Sequence, residues 1–194
     1  MAKSKRMDLR FPPLLAGMKR GPAVMIPKDI GMVISYTGIG KKSRVLEAGA
    51  GSGFSTIVLA NICKEVISYE RKEEFAKIAE GNVKKAELKN VKIKQKDILD
   101  GIREKNMDLV LLDMPEADRA VPLAHKALGK DGQLVGFLPN SEQAKDFYFK
   151  CGESGFRTVF MLENMVREYE VRPYGVRPKN VGLTHTAYLV FARK

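Results

Sequence analysis

The amino-acid sequence predicts an α/β protein built on one doubly wound, mostly parallel sheet. Between residues 44 and 154, apolar runs of strand length alternate with segments whose apolar residues have helical spacing. A glycine-rich stretch separates the first of these strands from its helix. From Phe156 onward the alternation gives way to two longer strands with no clear helix between them. We therefore expect a Rossmann-like sheet of seven strands, mostly parallel, with an antiparallel C-terminal strand in the hairpin that closes its edge.

The elements are predicted in chain order from these patterns. Residues 14–18 are expected to form a helical turn, and residues 29–38 a helix, because apolar residues recur at helical spacing ahead of Gly38. Residues 108–113 form a continuous apolar run, which is typical of a strand buried on both faces. The other predicted strands are 44–48, 65–70, 91–95, 132–138, 156–162 and 184–192. The other predicted helices are 54–63, 73–87, 117–128 and 141–154.

Composition narrows the classes of protein to consider. The chain has 194 residues, enough for one domain with a sizeable core. No stretch approaches the roughly 20 apolar residues of a membrane span, and the first residues do not resemble a secretory signal. Cys63 and Cys151 are too few for a disulfide framework or a Cys-rich zinc site, so we expect reduced thiols in a cytoplasmic protein.

The charge balance indicates a polyanionic partner. The formal net charge is +11, with 34 Lys and Arg against 23 Asp and Glu. Such an excess attracts nucleic acids, although it also suits general solubility and ribosomal or membrane-surface proteins. Residues 1–28 are basic and interrupted by prolines, and we expect them to form a lead-in segment packed on the core.

The glycine-rich stretch predicts a cofactor loop. Gly49, Gly51 and Gly53 alternate between a strand and a helix, Ser52 lies among them, and Glu47 stands two residues before the first glycine. Such a loop brings backbone amides against a ligand at a helix N-terminus. The third glycine comes one residue earlier than in dinucleotide-binding loops. The pattern resembles motif I of class I S-adenosylmethionine-dependent methyltransferases; the alternative is a tight turn in another α/β protein.

Acidic residues follow the next two strands, where an open α/β sheet binds its ligand. Glu70 can accept hydrogen bonds from both ribose hydroxyls, unless it is a capping or surface acid. Asp97 can accept from the exocyclic amine of adenine with Ile98 against the ring, unless it is a turn aspartate. Glu47 is predicted to orient the site by bonding loop amides or the cationic end of the cofactor.

Asp113 follows the fourth strand, where the methyl acceptor should lie. A carboxylate there could hydrogen-bond an amine of the acceptor. Methylases of exocyclic base amines carry an (Asp/Asn/Ser)-Pro-Pro-aromatic run at this place. Here Pro115 is followed by Glu116 and Ala117, without the aromatic residue, which argues against that reaction.

The remaining candidates are weaker. His125 falls in a helical pattern and is predicted to be a packed or surface residue. His185 could hydrogen-bond near the site or play a structural part. We find no His, Cys and carboxylate grouping with metal-ligand spacing and no nucleophile–base pair in the sequence, and we expect no metal. Methyl transfer needs neither a metal nor a nucleophile–base pair, because in-line positioning of the reactants provides most of the rate acceleration.

Several motifs, taken in order, resemble the tRNA (adenine-N1)-methyltransferases from about residue 8 to the end. They are Lys19-Arg20-Gly21-Pro22, Pro27-Lys28-Asp29-Ile30-Gly31, Val45-Leu46-Glu47-Ala48-Gly49 with Gly51 and Gly53, Ser68-Tyr69-Glu70, Asp113-Met114-Pro115-Glu116, Leu138-Pro139-Asn140 with Gln143, Arg167-Glu168-Tyr169-Glu170-Val171-Arg172-Pro173, Arg177-Pro178, and His185-Thr186-Ala187-Tyr188-Leu189-Val190. The resemblance implies that residues 29–194 form a class I methyltransferase catalytic domain.

The resemblance also implies a reaction and partners. The enzyme would methylate N1 of an adenine in the tRNA T-loop, at position 58 or also 57, with S-adenosylhomocysteine as product, usually as a homotetramer. Asp113 would contact the N6 amine of an adenine extruded from the loop, with Pro115 and His185 on the acceptor side. Phosphate contacts would come from Lys19, Arg20, Arg167, Arg172, Arg177 and Lys179. Those basic residues could equally form a solvated or subunit-interface surface.

Two departures from the family pattern bear on the substrate. Family members usually carry a small β-rich N-terminal domain, and only some 18 residues precede Lys19 here. The family commonly places a tyrosine where this chain has Ile26, and isoleucine cannot stack on a base as an aromatic ring does. Two alternatives therefore stay open: a class I methyltransferase of a small molecule such as a corrin precursor, and a non-catalytic relative that binds tRNA.

Overall fold

A computed structural model describes residues 9–21, 24–180, 182 and 184–194. Within these residues the strands are β1 (Arg44–Ala48), β2 (Glu65–Glu70), β3 (Val91–Gln95), β4 (Met107–Leu112), β5 (Leu128–Leu138), β6 (Thr158–Glu163), β7 (Tyr169–Arg172), β8 (Gly175–Pro178) and β9 (Tyr188–Arg193). The helices are α1 (Pro27–Thr37), α2 (Phe54–Ile62), α3 (Glu73–Lys85), α4 (Ala117–Ala127) and α5 (Ser141–Glu153), with 3₁₀ turns at Pro13–Leu15 and Ile98–Asp100.

The main sheet confirms the predicted fold class. In the described part of the chain it has seven strands in the order β3-β2-β1-β4-β5-β9-β6. β1 to β5 pair in parallel, whereas β9 is antiparallel to both β5 and β6. Helices cover both faces, as a parallel sheet requires: α1 and α2 contribute to the core on one face, and α4 and α5 to the core on the other.

The last two strands form the antiparallel C-terminal edge that the sequence predicts, and the C-terminal strand β9 lies between β5 and β6. Leu189, Val190 and Phe191 are almost fully buried, which an interior strand flanked by two partners can provide. β6 forms the edge, and its residues are either exposed or only partly buried. Both strands were expected from their apolar pattern, but the pairing order depends on contacts between distant segments.

Other differences from the sequence prediction are local. β5 begins at Leu128, four positions ahead of the predicted start at 132, and passes through Asp131 at a positive φ of 60°. The structure also contains the hairpin of β7 and β8, which the apolar pattern of the sequence does not predict. Its side chains are largely exposed, so no core-facing periodicity marked it.

The segment before α1 packs on the core through its described residues. Leu15 is buried, and the ring of Phe11 meets that of Phe54 edge-on at 5.2 Å. The predicted boundary between residues 28 and 29 falls inside the first turn of α1, and residues 1–8, 22 and 23 of the segment lie outside the described residues. None of the helices in the described ranges has the length and apolar content to cross a bilayer.

Candidate active site

A cavity of about 360 Å³ opens at the carboxyl edge of the parallel strands. It is the place where a doubly wound sheet binds ligands. Of the residues singled out from the sequence, it brings together Gly49, Gly51, Glu70, Asp97, Ile98, Asp113 and Pro115. These residues come from loops after four different strands, so only the fold makes them neighbours.

The glycine loop lies directly against the end of β4. Gly49 has a φ of +90°, and a Cβ at this position would stand 1.8 Å from the carbonyl oxygen of Asp113. The amides of Gly49 and Ala50 both donate to the carbonyl of Tyr69 at the end of β2. The loop is therefore clasped between two strand ends, and only glycine allows that approach.

Glu70 holds the loop from the side of β2. Its carboxylate accepts hydrogen bonds from the amide of Gly51 at 2.9 Å and from the amide of Lys72 at 2.9 Å. The residue is 7% exposed and lines the cavity. Each carboxylate oxygen can accept a second hydrogen bond, so vicinal hydroxyls of a ligand remain acceptable partners.

Asp97 uses its two oxygens differently. Its Oδ1 accepts from the amide of Leu99 at 2.9 Å and caps the short 3₁₀ turn, which is the structural role weighed from the sequence. Its Oδ2 lies 3.8 Å from Nη1 of Arg71 and is available to a ligand amine. Ile98 next to it is almost buried and supplies an apolar wall to the cavity.

Asp113 follows β4 and lines the cavity. Its amide donates to the carbonyl of Ala48, which fixes the backbone, whereas its carboxylate has no hydrogen bond or ion pair within the described residues. Burial raises the pKa of this carboxyl to about 7, and the negative charges of Glu47 and Glu70 contribute to the rise. A cation in the cavity would relieve this repulsion.

Glu47 does not take the position that the sequence suggested. Its side chain is fully buried beneath the loop, where it accepts hydrogen bonds from the hydroxyls of Ser55, Thr56 and Ser68, the last at 2.7 Å. Burial raises the pKa of Glu47, and the three hydroxyl donors oppose that rise. The acid therefore reaches the site through its charge and not through loop amides. The sequence signal for this arrangement is the presence of these three hydroxyl residues in the otherwise apolar elements α2 and β2.

Ser52 and Gly53 also lie outside the cavity wall. The hydroxyl of Ser52 accepts from the amide of Gly21 at 2.8 Å, which ties the lead-in segment to the loop. Gly53 caps α2 at a φ of +78°, where an added Cβ would lie 3.2 Å from Cα of Ala79. Both residues thus shape the loop from behind. The cavity wall also includes residues to which the sequence analysis gave no role of their own: Tyr69, Arg71, Lys72, Phe75, Lys96 and Met114.

The acceptor side continues from Asp113 into Met114 and Pro115. Glu116 then turns back, and its Oε1 lies 3.3 Å from Nη1 of Arg71. Arg71 follows the ribose-binding candidate Glu70 directly, so this one guanidinium stands between the Asp97 and Glu116 sides of the cavity.

The other predicted residues on the acceptor side are not in the cavity wall. Arg20 lies over the ring of Phe11 at 5.6 Å, and Lys19 is exposed with its backbone paired to Asn82. Arg172 and Arg177 both pair with Glu170 on the β7–β8 hairpin. Arg167 precedes that hairpin and is exposed. Pro22 of the Lys-Arg-Gly-Pro motif lies outside the described residues.

His185 bridges two segments at the same edge of the sheet. Its Nδ1 lies 2.6 Å from Glu163 at the end of β6, and its Nε2 lies 3.0 Å from the carbonyl of Pro139 after β5. These two hydrogen bonds raise the pKa of His185. His125 instead packs its ring edge-on against Phe156 at 4.9 Å, in the structural role expected of it.

Comparisons with known proteins bear on this arrangement. A family model described as "tRNA methyltransferase complex GCD14 subunit" matches residues 18–184. The chain is 36% identical to the tRNA (adenine(57)-N(1)/adenine(58)-N(1))-methyltransferase TrmI of Methanocaldococcus jannaschii, over 93% of this chain and 74% of that protein. It is 34% identical to the tRNA (adenine(58)-N(1))-methyltransferase TrmI of Thermus thermophilus, over 93% of this chain and 72% of that protein.

A solved structure agrees with these relatives. The crystal structure of tRNA (m1A58) methyltransferase TrmI from Aquifex aeolicus superposes with a TM-score of 0.87 at 32% identity. The match covers 93% of this chain and 74% of that one.

Proposed function

The chain belongs to the family of the tRNA methyltransferase complex GCD14 subunit, and on this basis we propose that it transfers a methyl group from S-adenosylmethionine to N1 of an adenine in the tRNA T-loop. The observation that carries the proposal is Asp113. It is an acid without a partner in the described chain, held by the backbone of β1 against the glycine loop and facing the cavity.

The residues around the cavity fit the cofactor. Glu70 would accept from its ribose hydroxyls, and Asp97 from its adenine amine with Ile98 against the ring. Gly49 allows the loop to approach the carbonyl oxygen of Asp113, and both Gly49 and Gly51 line the cavity. The acidic surroundings of Asp113 favour a ligand carrying positive charge. The bound cofactor supplies an activated methyl group on a sulfonium, and S-adenosylhomocysteine is the product.

Asp113 would orient the acceptor adenine. An ionised carboxylate accepts a hydrogen bond from the N6 amine, which holds N1 toward the methyl group and increases its electron density. The methyl group would pass from the sulfonium to N1, and the electron pair of the broken sulfur–carbon bond would stay on sulfur. Since N1 attacks through its lone pair, no proton has to leave. Positioning is then the main contribution of the protein, after the base has been extruded from the T-loop.

The acceptor would be held by basic residues outside the cavity. Arg167 has no ion pair within the described residues. In contrast, Arg172 and Arg177 both pair with Glu170, and Lys179 pairs with Glu168. Together with Lys19 and Arg20 they are the proposed phosphate contacts, and Pro115 and His185 belong to the same side. Ile26 immediately precedes α1, where an aromatic residue could stack on the base, so the acceptor is expected to depend more strongly on these contacts.

We also propose a homo-oligomer, a tetramer by resemblance to the family, acting in the cytoplasm where its tRNA substrate is found. The β7–β8 hairpin supports the assembly because it exposes Tyr169, Val171, Tyr174 and Val176, of which Tyr174 is fully exposed. Exposed apolar residues grouped on one element are typical of a protein–protein contact.

The decisive experiment is transfer of a tritiated methyl group from S-adenosylmethionine to unmodified tRNA transcripts, followed by nucleoside analysis. We expect 1-methyladenosine, and no label in transcripts whose T-loop adenines are replaced by guanine. Asp113→Asn is expected to bind the cofactor and transfer nothing. Label in a different nucleoside would move the target. Absence of label with cofactor bound would favour a small-molecule acceptor or a non-catalytic tRNA-binding relative.

A further inference from the structure

The chain between β6 and β9 leaves the sheet beside the candidate active site. β6 ends at Glu163 and β9 begins at Tyr188; these two residues are paired, and Tyr188 also pairs with Leu138 of β5. β5 neighbours β4, which leads into Asp113. At about 5 Å between neighbouring strands, the exit and return points lie roughly 10–15 Å from the β4 edge. We call the described residues 165–180 of this excursion the arm.

One cluster holds the arm at both of its ends. The ammonium of Lys28 donates to the carbonyl of Asn164, to the hydroxyl of Thr186 and to Oδ1 of Asp29, each at 2.6 Å. Asn164 donates back to the carbonyl of Lys28 at 2.7 Å, and Thr186 donates to Oδ2 of Asp29 at 2.9 Å. The N-terminus of α1 is thereby bonded to the residue after β6 and to a residue just before β9.

A second contact lies directly beside the first. Glu163 and His185, the chain neighbours of Asn164 and Thr186, bond to each other, and His185 also reaches the carbonyl of Pro139. Both ring nitrogens of His185 face acceptors, so the protonated ring satisfies both. We call Lys28, Asp29, Glu163, Asn164, His185 and Thr186 together the neck.

The buried ion pair of the neck is not explained by a contribution to folding stability alone. The side chain of Asp29 is fully buried and that of Lys28 is 11% exposed. A buried ion pair loses much of its attraction to desolvation, and well-packed apolar residues often stabilise a protein as well or better. What such a pair provides is a directional arrangement, because every ammonium proton has a fixed acceptor.

The arm requires contacts at its ends to keep its orientation. Its regular structure is a hairpin of two strands of four residues each, with side chains that are mostly exposed. An isolated two-stranded hairpin is at best marginally stable in water. Within a single subunit, its orientation relative to the sheet therefore depends on its ends and on the ion pair of Arg10 with Glu168.

We propose that the neck is a positioning device for the acceptor RNA, with Lys28 and His185 as positioning residues that set where the basic side chains of the arm stand relative to Asp113. The inference rests on the proposed function in one respect, the RNA nature of the acceptor. The arm carries Arg167, Arg172, Arg177 and Lys179, and the neck joins it to the segments that begin α1 and follow β5.

Amide hydrogen exchange and steady-state kinetics of the full chain test this. Lys28→Met and Thr186→Val each remove neck hydrogen bonds while keeping the side-chain volume. We expect exchange of residues 165–180 to rise about tenfold in either variant, and KM for tRNA to rise about tenfold with cofactor affinity unchanged. Lys64→Met, which removes a lysine ahead of β2 at the opposite edge of the sheet, is the matched control and should change neither.

A second variant separates positioning from stability. Lys28→Met combined with Asp29→Leu replaces the buried pair by apolar groups and should recover thermal stability. If the neck positions the acceptor, KM for tRNA stays high in this double variant. Recovery of KM together with stability would overturn the proposal, as would unchanged exchange of the arm in Lys28→Met. If the wild-type protein methylates no tRNA, the proposed function fails, while the exchange experiment still decides whether the neck holds the arm.

Discussion

At the scale of single residues, the site is defined by an unfavourable charge. Asp113 faces the cavity without a partner in the described chain, near two other acids, and its pKa is raised to about 7 by burial, Glu47 and Glu70. Natural sites keep such groups when a ligand or a reaction uses them. Two measurable consequences follow from the direction of this shift.

The first consequence concerns cofactor binding. A cationic ligand prefers the ionised carboxylate, so affinity for S-adenosylmethionine should strengthen as pH rises through about 7 and Asp113 loses its proton. Titration calorimetry between pH 6 and 8, roughly one pH unit either side of that pKa, measures this. In Asp113→Asn the pH dependence should disappear. A wild-type affinity that is flat across the range would contradict an electrostatic contribution of Asp113 to cofactor binding.

The second consequence concerns stability. A carboxyl whose pKa is higher in the folded than in the unfolded state binds more protons when folded. Its contribution is therefore favourable in acid and is lost as pH rises from 3.8, the unperturbed value, through about 7. Asp113→Asn should raise the free energy of unfolding at pH 8 by about 1–3 kcal/mol, less than the full shift implies because the side chain is partly exposed. Urea denaturation in acid and at pH 8 measures this, and equal effects at both would refute the linkage.

At the scale of elements, the cavity depends on how closely the glycine loop approaches β4. Gly49→Ala would drive a Cβ into the carbonyl of Asp113 at a φ of +90°. We expect the free energy of unfolding to fall by about 3 kcal/mol or more and cofactor binding to weaken. Gly81→Ala is the control, since this exposed glycine of α3 has nothing within 4 Å of an added Cβ. It should stabilise by about 0.5–1 kcal/mol. Thermal unfolding of both variants measures these changes. Unchanged stability of Gly49→Ala would show that the loop can adapt to a Cβ at this position.

The elements also show which predictions were accessible from local pattern. Strand and helix positions followed from apolar periodicity, and Glu70, Asp97 and Asp113 followed from standing at strand ends. Ser52 and Glu47 were predicted as cofactor-binding residues, yet neither lines the cavity in this structure. Their partners are Gly21 in one case and Ser55, Thr56 and Ser68 in the other. Residue type alone does not tell which side of a loop a polar group faces.

At the scale of the whole molecule, the net charge of +11 predicts electrostatic binding of RNA. Arg167→Ala should weaken tRNA binding and reduce the slope of log affinity against log salt by about one. Lys64→Ala, at the opposite edge of the sheet, should leave the slope unchanged. Filter binding across a salt series measures both. Equal effects of the two substitutions would mean that the charge acts diffusely and that the arm makes no phosphate contact.

The amino-acid sequence alone specified the fold class, the cofactor loop and the acids at the strand ends. Each of these follows from local periodicity or from a residue type that a particular backbone geometry requires, as glycine is required at position 49. Tertiary contacts established the place of β9 between β5 and β6, the burial of Glu47 beneath the loop, and the neck in which Lys28 meets Asn164 and Thr186. The physical reason is that a buried polar group must find a partner, and that partner can lie more than a hundred residues away, where no local pattern identifies it.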